Sequence, residues 1–223
     1  MTTTTYQITV PDLGPGSRLG AEQRSALRSE IRQAARGDQA AVLIDVADDA
    51  WDHDPVTDAA SLSARAVTRD FHRLVTDVFS LDKPVVVQLT GRVSGLGLGL
   101  ALACDLRFGT EATTLAIGDL DRGPALVGGV SWLLAQRAGA ALVAHLSWTD
   151  ATLNAQEAVN AHLLSGLSVD GSAAQEAVKR LVAAPQPAVS ALKRSLNSRL
   201  RAELEQHLDY DAWLATVALR AAR

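Results

Sequence analysis

Apolar and polar residues alternate, run together or recur at helical spacing in a regular order along the first half of the chain. Residues 6–10 (Tyr-Gln-Ile-Thr-Val) alternate, the period of a half-buried strand. Ala21–Arg36 carries Leu27, Ile31 and Ala35 at helical spacing with Arg and Glu between them, which predicts an amphipathic helix. Gly37-Asp38 stops it. Residues 41–46 (AVLIDV) predict a second strand. Strand, helix, strand favours a parallel pair joined by a right-handed crossover. A polar loop over 47–61 follows, with five Asp and one His. Residues 62–80 then place Val67, Phe71, Leu74, Val75 and Val78 on one helical face. Residues 84–89 (PVVVQL) are apolar and rich in β-branched side chains, which suits a strand buried on both faces.

Thr90-Gly91 breaks that strand. Gly95, Gly97 and Gly99 alternate with Ser94, Leu96 and Leu98, and their missing Cβ atoms let a backbone or a ligand approach closely. Residues 98–104 are apolar on every side and predict a short buried helix. A helix opening at such a turn aims unpaired N–H groups and its positive dipole end forward, a place to stabilise a negative oxygen. Glycines serving only tight packing are the plain alternative. A dinucleotide site is excluded because the helix is too short for the crossover of a Rossmann unit. Residues 105–108 and 115–117 predict two more strands. Asp119 and Asp121 lie in the next loop. Gly128-Gly129 opens a helix over Val130–Ala138, with Trp132 facing inward.

Beyond 148 the pattern changes. Asn154-Ala-Gln-Glu157 has the form of a capping box, followed by a helix of about ten residues that Gly166 ends. Ser172-Ala-Ala-Gln175 starts another helix by the same device. Pro185 and Pro187 separate it from a last segment in which Leu192, Leu196, Leu200, Leu204 and Leu208 recur every four residues. The reading is an α/β core over 1–148 and a helical region over 149–223.

With 223 residues, 48% of them hydrophobic, the chain can bury a full core as one domain with a helical appendage. A net charge of −4, no basic run and 4% aromatic residues exclude a nucleic-acid partner. Cys104 has no second cysteine to pair with, and in its apolar run it reads as a buried, inert thiol. Residues 1–6 lack the basic start and apolar core of a signal peptide. No apolar stretch reaches bilayer length. The expectation is a soluble cytoplasmic protein with no membrane partner. His53 between Asp52 and Asp54 reads as part of a solvated acidic loop, since consecutive loop side chains rarely converge on one ion; no metal is expected. His145, His162 and His207 read as helix-surface residues.

The order strand, helix, strand, acidic loop, helix, KPVVVQLTG, glycine turn, ALACDLRF, acidic loop and Gly-Gly helix resembles the crotonase (enoyl-CoA hydratase/isomerase) superfamily. The match is strongest from Lys83-Pro84 through Thr90-Gly91 and Gly95-Leu-Gly97 to Cys104-Asp105. It continues at Val127-Gly128-Gly129 and over 147–169. The resemblance implies an α/β crotonase-like fold of repeated ββα turns and parallel sheets with a helical C-terminal region. It also implies an acyl-CoA or carrier-bound acyl thioester as substrate, no separate cofactor, and often a homotrimer, an assembly to which the Leu192–Leu208 stripe also pointed. The shared chemistry is an oxyanion hole of two backbone N–H groups around an enolate-like intermediate. One donor maps to Leu96, flanked by Gly95 and Gly97, with Gly128 in the second glycine pair.

The other donor of the resemblance falls at Pro55, which has no N–H; a shift of one residue gives Asp54 or Val56 instead. Of the two hydratase carboxylates, one falls at Gly99 and the other at Asp119, which becomes the candidate acid/base. Arg92 and Arg122 are candidates for CoA phosphates. A single carboxylate suits isomerase or decarboxylase (lyase) chemistry better than hydration. The short chain also resembles the hydratase-like accessory proteins of secondary-metabolite pathways, such as those making dihydroxyphenylglycine. Two readings stand side by side: an enzyme of the enoyl-CoA hydratase/isomerase type, and a non-catalytic partner or accessory subunit of a biosynthetic enzyme.

Overall fold

The computed structural model describes residues 4–11, 19–53, 62–118 and 127–221. A five-stranded, all-parallel sheet has the order β1 (Thr5–Val10), β2 (Ala41–Val46), β4 (Val85–Gln88), β6 (Leu106–Gly109), β9 (Gly166–Leu167). Strand side chains alternate between faces, so the continuous apolar runs cover both. Val42, Ile44, Val46, Val85 and Val87 join the main core. That core also takes in residues of α1 (Ala21–Arg36), α2 (Leu62–Phe79) and α3 (Gly95–Ala103). Ala41, Leu43, Val86 and Phe108 form a second cluster with Ala174 and Val178 of α7 (Ser172–Ala183) on the other face.

A second sheet is made of strands too short to carry a period: β3 (Asp52–His53), β5 (Arg92–Ser94), β7 (Thr114–Ala116) and β8 (Thr152–Asn154). The first three are parallel, and β8 closes the edge antiparallel to β7. The helices α4 (Val130–Ala138), α5 (Ala140–Trp148), α6 (Ala155–Asn160) and α8 (Gln186–Ala221) complete the chain.

Several expectations are corrected. The glycines lie inside α3, which starts at Gly95 rather than at 98. In α1 it is Ala34, not Ala35, that turns inward, together with Arg24. The Asn154 capping box forms as expected: Glu157 N donates to Asn154 Oδ1 at 2.9 Å and Asn154 N to Glu157 Oε2 at 2.8 Å. Helix α6 is only six residues long, however, and Gly166 belongs to β9, paired with Phe108. Helix α7 has no side-chain cap; Gly171, at φ +75°, precedes it and Asp170 Oδ1 takes the Ser172 N–H at 3.0 Å. The region after 148 is thus mostly helical but lends one strand to each sheet.

The leucine stripe of α8 also behaves differently. A four-residue step overshoots one helical turn by about 40°, so the five leucines precess around the helix by about 160°. Leu192 and Leu196 are 62% and 66% exposed, whereas Leu204 and Leu208 are buried in the core. The stripe is therefore not one continuous surface, and its first half alone faces outward.

One turn beyond Leu208, still on the inward side of α8, Asp211 is 3% exposed and its Oδ2 meets no donor among the described residues. Burial pushes its carboxyl up to about 7. His72 of α2, the helix against which α8 packs, is also buried with Nε2 unpartnered. Burial pushes it down to about 4, against the pull of Asp209. Between pH 3.8 and about 7 the folded state holds an Asp211 proton that the unfolded chain has lost, so this group's stability contribution falls as pH rises. Between about 4 and 6.5 the unfolded chain holds the extra His72 proton, so that contribution rises with pH. Asp211→Asn removes the first effect alone. Its melting temperature, relative to the parent, should therefore climb from pH 4 to pH 8. Thermal melts across that range test this; a shift that is the same at every pH would contradict it.

Candidate functional site

The second sheet brings the loop after β2 beside the start of α3. β3 and β5 pair with Asp52 opposite Ser94. Ser94 N donates to the Trp51 carbonyl at 3.2 Å. Ser94 Oγ donates to Asp52 Oδ1 at 2.7 Å, and Arg92 Nε lies 3.2 Å from the same oxygen. Arg92 N donates to Asp49 Oδ1 at 2.5 Å. Arg92, expected as a phosphate candidate, is thus engaged by Asp52. Trp51 is fully buried and roots the loop in the core.

Helix α3 begins directly after Ser94, which is extended at φ −139°, ψ 162°. The Ser94 hydroxyl goes to Asp52 and caps nothing on the helix. Gly95, Leu96 and Gly97 are the first three residues of the helix, and N–H groups there have no intrahelical acceptor. They also sit at the positive end of the helix dipole. Every residue of α3 is buried, so a partner for these donors would meet them out of bulk water, where an electrostatic contact is stronger.

Two other backbones press on this helix. A Cβ at Gly97 would run into the Trp51 carbonyl. A Cβ at Gly99 would lie 2.6 Å from the Gly128 carbonyl oxygen and 3.1 Å from Val130 Cγ2. Gly128 and Gly129 take left-handed φ values of +82° and +69°, which lets the 127–129 turn fold onto α3. A Cβ at Gly128 would in turn come within 3.1 Å of Leu96 Cδ2. The structure thus assembles Gly95, Leu96, Gly97 and Gly128 around the start of one helix.

Asp54, Pro55, Val56, Asp119, Asp121 and Arg122 lie outside the described residues. Cys104 is buried, and burial pushes its thiol up to about 12, which makes it inert as expected. His207 stacks on Trp132 with centroids 5.2 Å apart. Among the described residues no group of three or more His, Cys, Asp and Glu could hold a metal ion, and no helix is long and apolar enough to cross a membrane. The sequence reading missed the Asp52–Ser94–Arg92 cluster, because a two-residue strand leaves no periodic signal. It also missed buried Asp211, although its spacing of three from Leu208 was visible.

The model of the family described as enoyl-CoA hydratase/isomerase matches residues 52–220. The chain belongs to this family. Among curated relatives, Bacillus subtilis YhaR, named provisionally as an enoyl-CoA hydratase/isomerase, is 29% identical over 137 residues, which is 60% of this chain and 54% of that protein. The fatty acid oxidation complex subunit alpha of Shewanella loihica is 29% identical over 132 residues, 58% of this chain and 19% of that protein. The chain therefore matches about half of the first relative and a fifth of the second. Among solved structures, an enoyl-CoA hydratase from Bacillus halodurans superposes with TM-score 0.81 at 18% identity, covering 98% of this chain and 93% of that one. One from Thermoplasma volcanium gives 0.77 at 19%, covering 98% and 92%. ThnE from S. clavuligerus gives 0.74 at 21%, covering 92% of each. At these identities the structures bear on the fold, which is that of the enoyl-CoA hydratases.

The space at Gly99 has a direct consequence. The first carboxylate position of the hydratase resemblance is filled by the Gly128 carbonyl and Val130. Gly99→Glu is therefore expected to lower the melting temperature, since overpacking of this kind costs about 1–3 kcal/mol, and to create no hydration of a 2-enoyl-CoA. A Gly99→Glu protein that is fully stable and hydrates crotonyl-CoA would contradict the packing described.

Proposed function

We propose that the chain binds an acyl thioester, of CoA or of a carrier protein, and stabilises an enolate-like oxygen with the Leu96 backbone N–H. The observation that supports this is the uncapped first turn of buried α3, held in place by Trp51 on one side and Gly128 on the other. A preorganised donor in a dry site is a large source of transition-state stabilisation. Gly97 lets the Trp51 carbonyl stand against the first turn and so fixes the loop after β2 there. In this reading the second donor comes from Asp54 or Val56, and no cofactor is used beyond the thioester substrate itself.

Asp119 is the proposed acid/base. With the Gly99 position closed, one carboxylate has to do the proton transfer. Removing an α-proton and returning it, as in isomerisation, or protonating an enolate after decarboxylation, needs one such group. Addition of water uses two. Association of several copies, of which a homotrimer is the proposed form, draws on the family resemblance and on the outward Leu192 and Leu196. The cytoplasm is the proposed setting, from the sequence pattern, and secondary metabolism the proposed context, from the resemblance alone.

A second reading is favoured by the Gly99 packing and by Pro55: a non-catalytic relative that binds a thioester or a partner biosynthetic enzyme through the same fold. Exchange of the α-protons of an acyl-CoA in D2O, followed by NMR, separates the two. Under the enzyme reading exchange occurs, and Asp119→Asn slows it by about 10²-fold or more with thioester affinity little changed. Thioester binding without exchange in the parent protein would establish the second reading instead. Full exchange in Asp119→Asn would remove Asp119 from the mechanism.

A further inference from the structure

Four arginines of α1 step from its buried side at Arg24 out toward solvent at Arg32 and Arg36. Arg24, Arg28, Arg32 and Arg36 are spaced by four residues, which sets them about 6 Å apart along the helix. With Ser25, Ser29, Gln33 and Asp70 they line a groove of about 630 Å³. That is the size of a small-molecule site, within about 300–1,000 Å³. None of its lining residues belongs to α3 or to the 127–129 turn. The concentration of positive charge runs against the net −4 of the chain.

Arg24 distinguishes this groove from a solvated basic face. It is 6% exposed and no carboxylate lies within ion-pair distance of it among the described residues. Its Nη1 donates to the Leu19 carbonyl at 2.7 Å and its guanidinium lies 5.2 Å above the Phe71 ring. Its Nε is buried and meets no acceptor among the described residues. Asp70 lies across the groove and favours the Arg24 charge without reaching it, so a buried cation is left with no direct ion pair, and an anion in the groove would offset that cost. Arg28 and Arg32 are only partly engaged: Asp77 Oδ2 lies 2.7 Å and 3.5 Å from their Nε atoms. A guanidinium has five N–H donors, so their outer edges are left for another acceptor. Asp70, which lines the groove and lies 4.0 Å from Arg73, is the opposing carboxylate on the α2 side. Four cations thus face Asp70 and Asp77.

We propose that this groove is a binding site for a small anion with two or more linked phosphates, held by Arg24 and Arg28 at its inner end and by Arg32 and Arg36 at its outer end. Long arginine side chains along one groove can converge on linked phosphate groups, each able to take a bidentate contact. A single phosphate would engage one or two arginines and bind correspondingly more weakly. The diphosphate arm of CoA and a separate polyphosphate or nucleoside diphosphate present the same chemistry to the groove. The site stands independently of the thioester reading.

Isothermal titration of the full-length protein with sodium tripolyphosphate, and separately with orthophosphate, tests the proposal. The expected result is one saturable site for tripolyphosphate, with orthophosphate at least about tenfold weaker. Arg32→Gln and Arg36→Gln lie on the exposed face and should leave the melting temperature unchanged while each weakens binding about tenfold. Arg28→Gln should weaken binding likewise while lowering the melting temperature, because it releases Asp77, and Arg24→Gln should abolish binding. Arg201→Gln on α8, far along the chain from α1, should bind like the parent. Adding CoA to protein saturated with tripolyphosphate identifies the source: competition assigns the groove to the CoA diphosphate, and independent binding to a separate phosphate ligand. Absence of saturable binding, or equal weakening by Arg201→Gln and Arg36→Gln, would overturn the site.

Discussion

The arrangement around α3 depends on how closely three stretches of backbone can approach one another. The helix is buried on all sides, and at Gly97 and Gly99 the carbonyls of Trp51 and Gly128 occupy the volume where side chains would stand. Both contacts are long-range in sequence, so they fix the loop after β2 and the turn before α4 relative to one short helix. Interiors are packed near crystal density and do not deform continuously. A methyl group at Gly97 therefore pushes α3 off the loop after β2, and one at Gly99 pushes it off the 127–129 turn. The same closeness leaves the first-turn N–H groups of α3 in a defined place, which a flexible loop would not do.

Buried cations are handled in two different ways in this fold. Lys193 of α8 donates to the Lys83 carbonyl at 2.6 Å and to Asp105 Oδ2 at 2.8 Å, and that carboxylate also accepts the Val85 N–H at 2.7 Å. The long helix is thereby fastened to the start of the central strand by a satisfied charge pair. Arg107 is anchored to the Leu163 and Cys104 carbonyls at 2.5 and 2.7 Å, and burial lowers its pKa to about 10. These groups hold elements together and have little left to offer a ligand. Arg24 is buried to a similar degree with one carbonyl partner and an Nε that meets no acceptor among the described residues, and that open donor is what points to an external anion.

Much of the fold was legible because its large strands are buried on both faces and its helices are amphipathic. Residues 41–46 and 84–89 announced themselves by continuous β-branched runs, and α1 and α4 by their periods and flanking glycines. The second sheet was not legible, since strands of two or three residues have no period and are held by pairing across the chain, as Asp52 with Ser94. The α8 stripe misled because a spacing of four only approximates a helical turn, and the drift over 192–208 turns one end outward and the other inward. The glycine spacing marked the neighbourhood of α3 but not its start at Gly95. Three glycines alternating with leucines read as a turn by local propensity; burial and packing hold them as helix. That Gly99 faces the Gly128 carbonyl could not be read from one sequence at all.

The closed position at Gly99 also bears on what kind of chemistry the family fold can support here. An enoyl-CoA hydratase carries its two carboxylates on two segments, so that a water molecule and a proton can be delivered together. Here one of those segments offers a backbone carbonyl from Gly128 instead, an acceptor that neither gives nor takes a proton. A carbonyl dipole aimed toward the start of α3 opposes negative charge nearby, whereas the first-turn N–H groups of the helix favour it. The balance depends on direction: the Gly128 oxygen faces Gly99 in the second turn, while Leu96 lies one turn nearer the N-terminus. The N-terminal end of the helix thus keeps its donor character, and Gly99, which the resemblance matches to a carboxylate, serves close packing against the 127–129 turn. Loss of one function without the other is physically possible because one is carried by backbone and the other by a side chain.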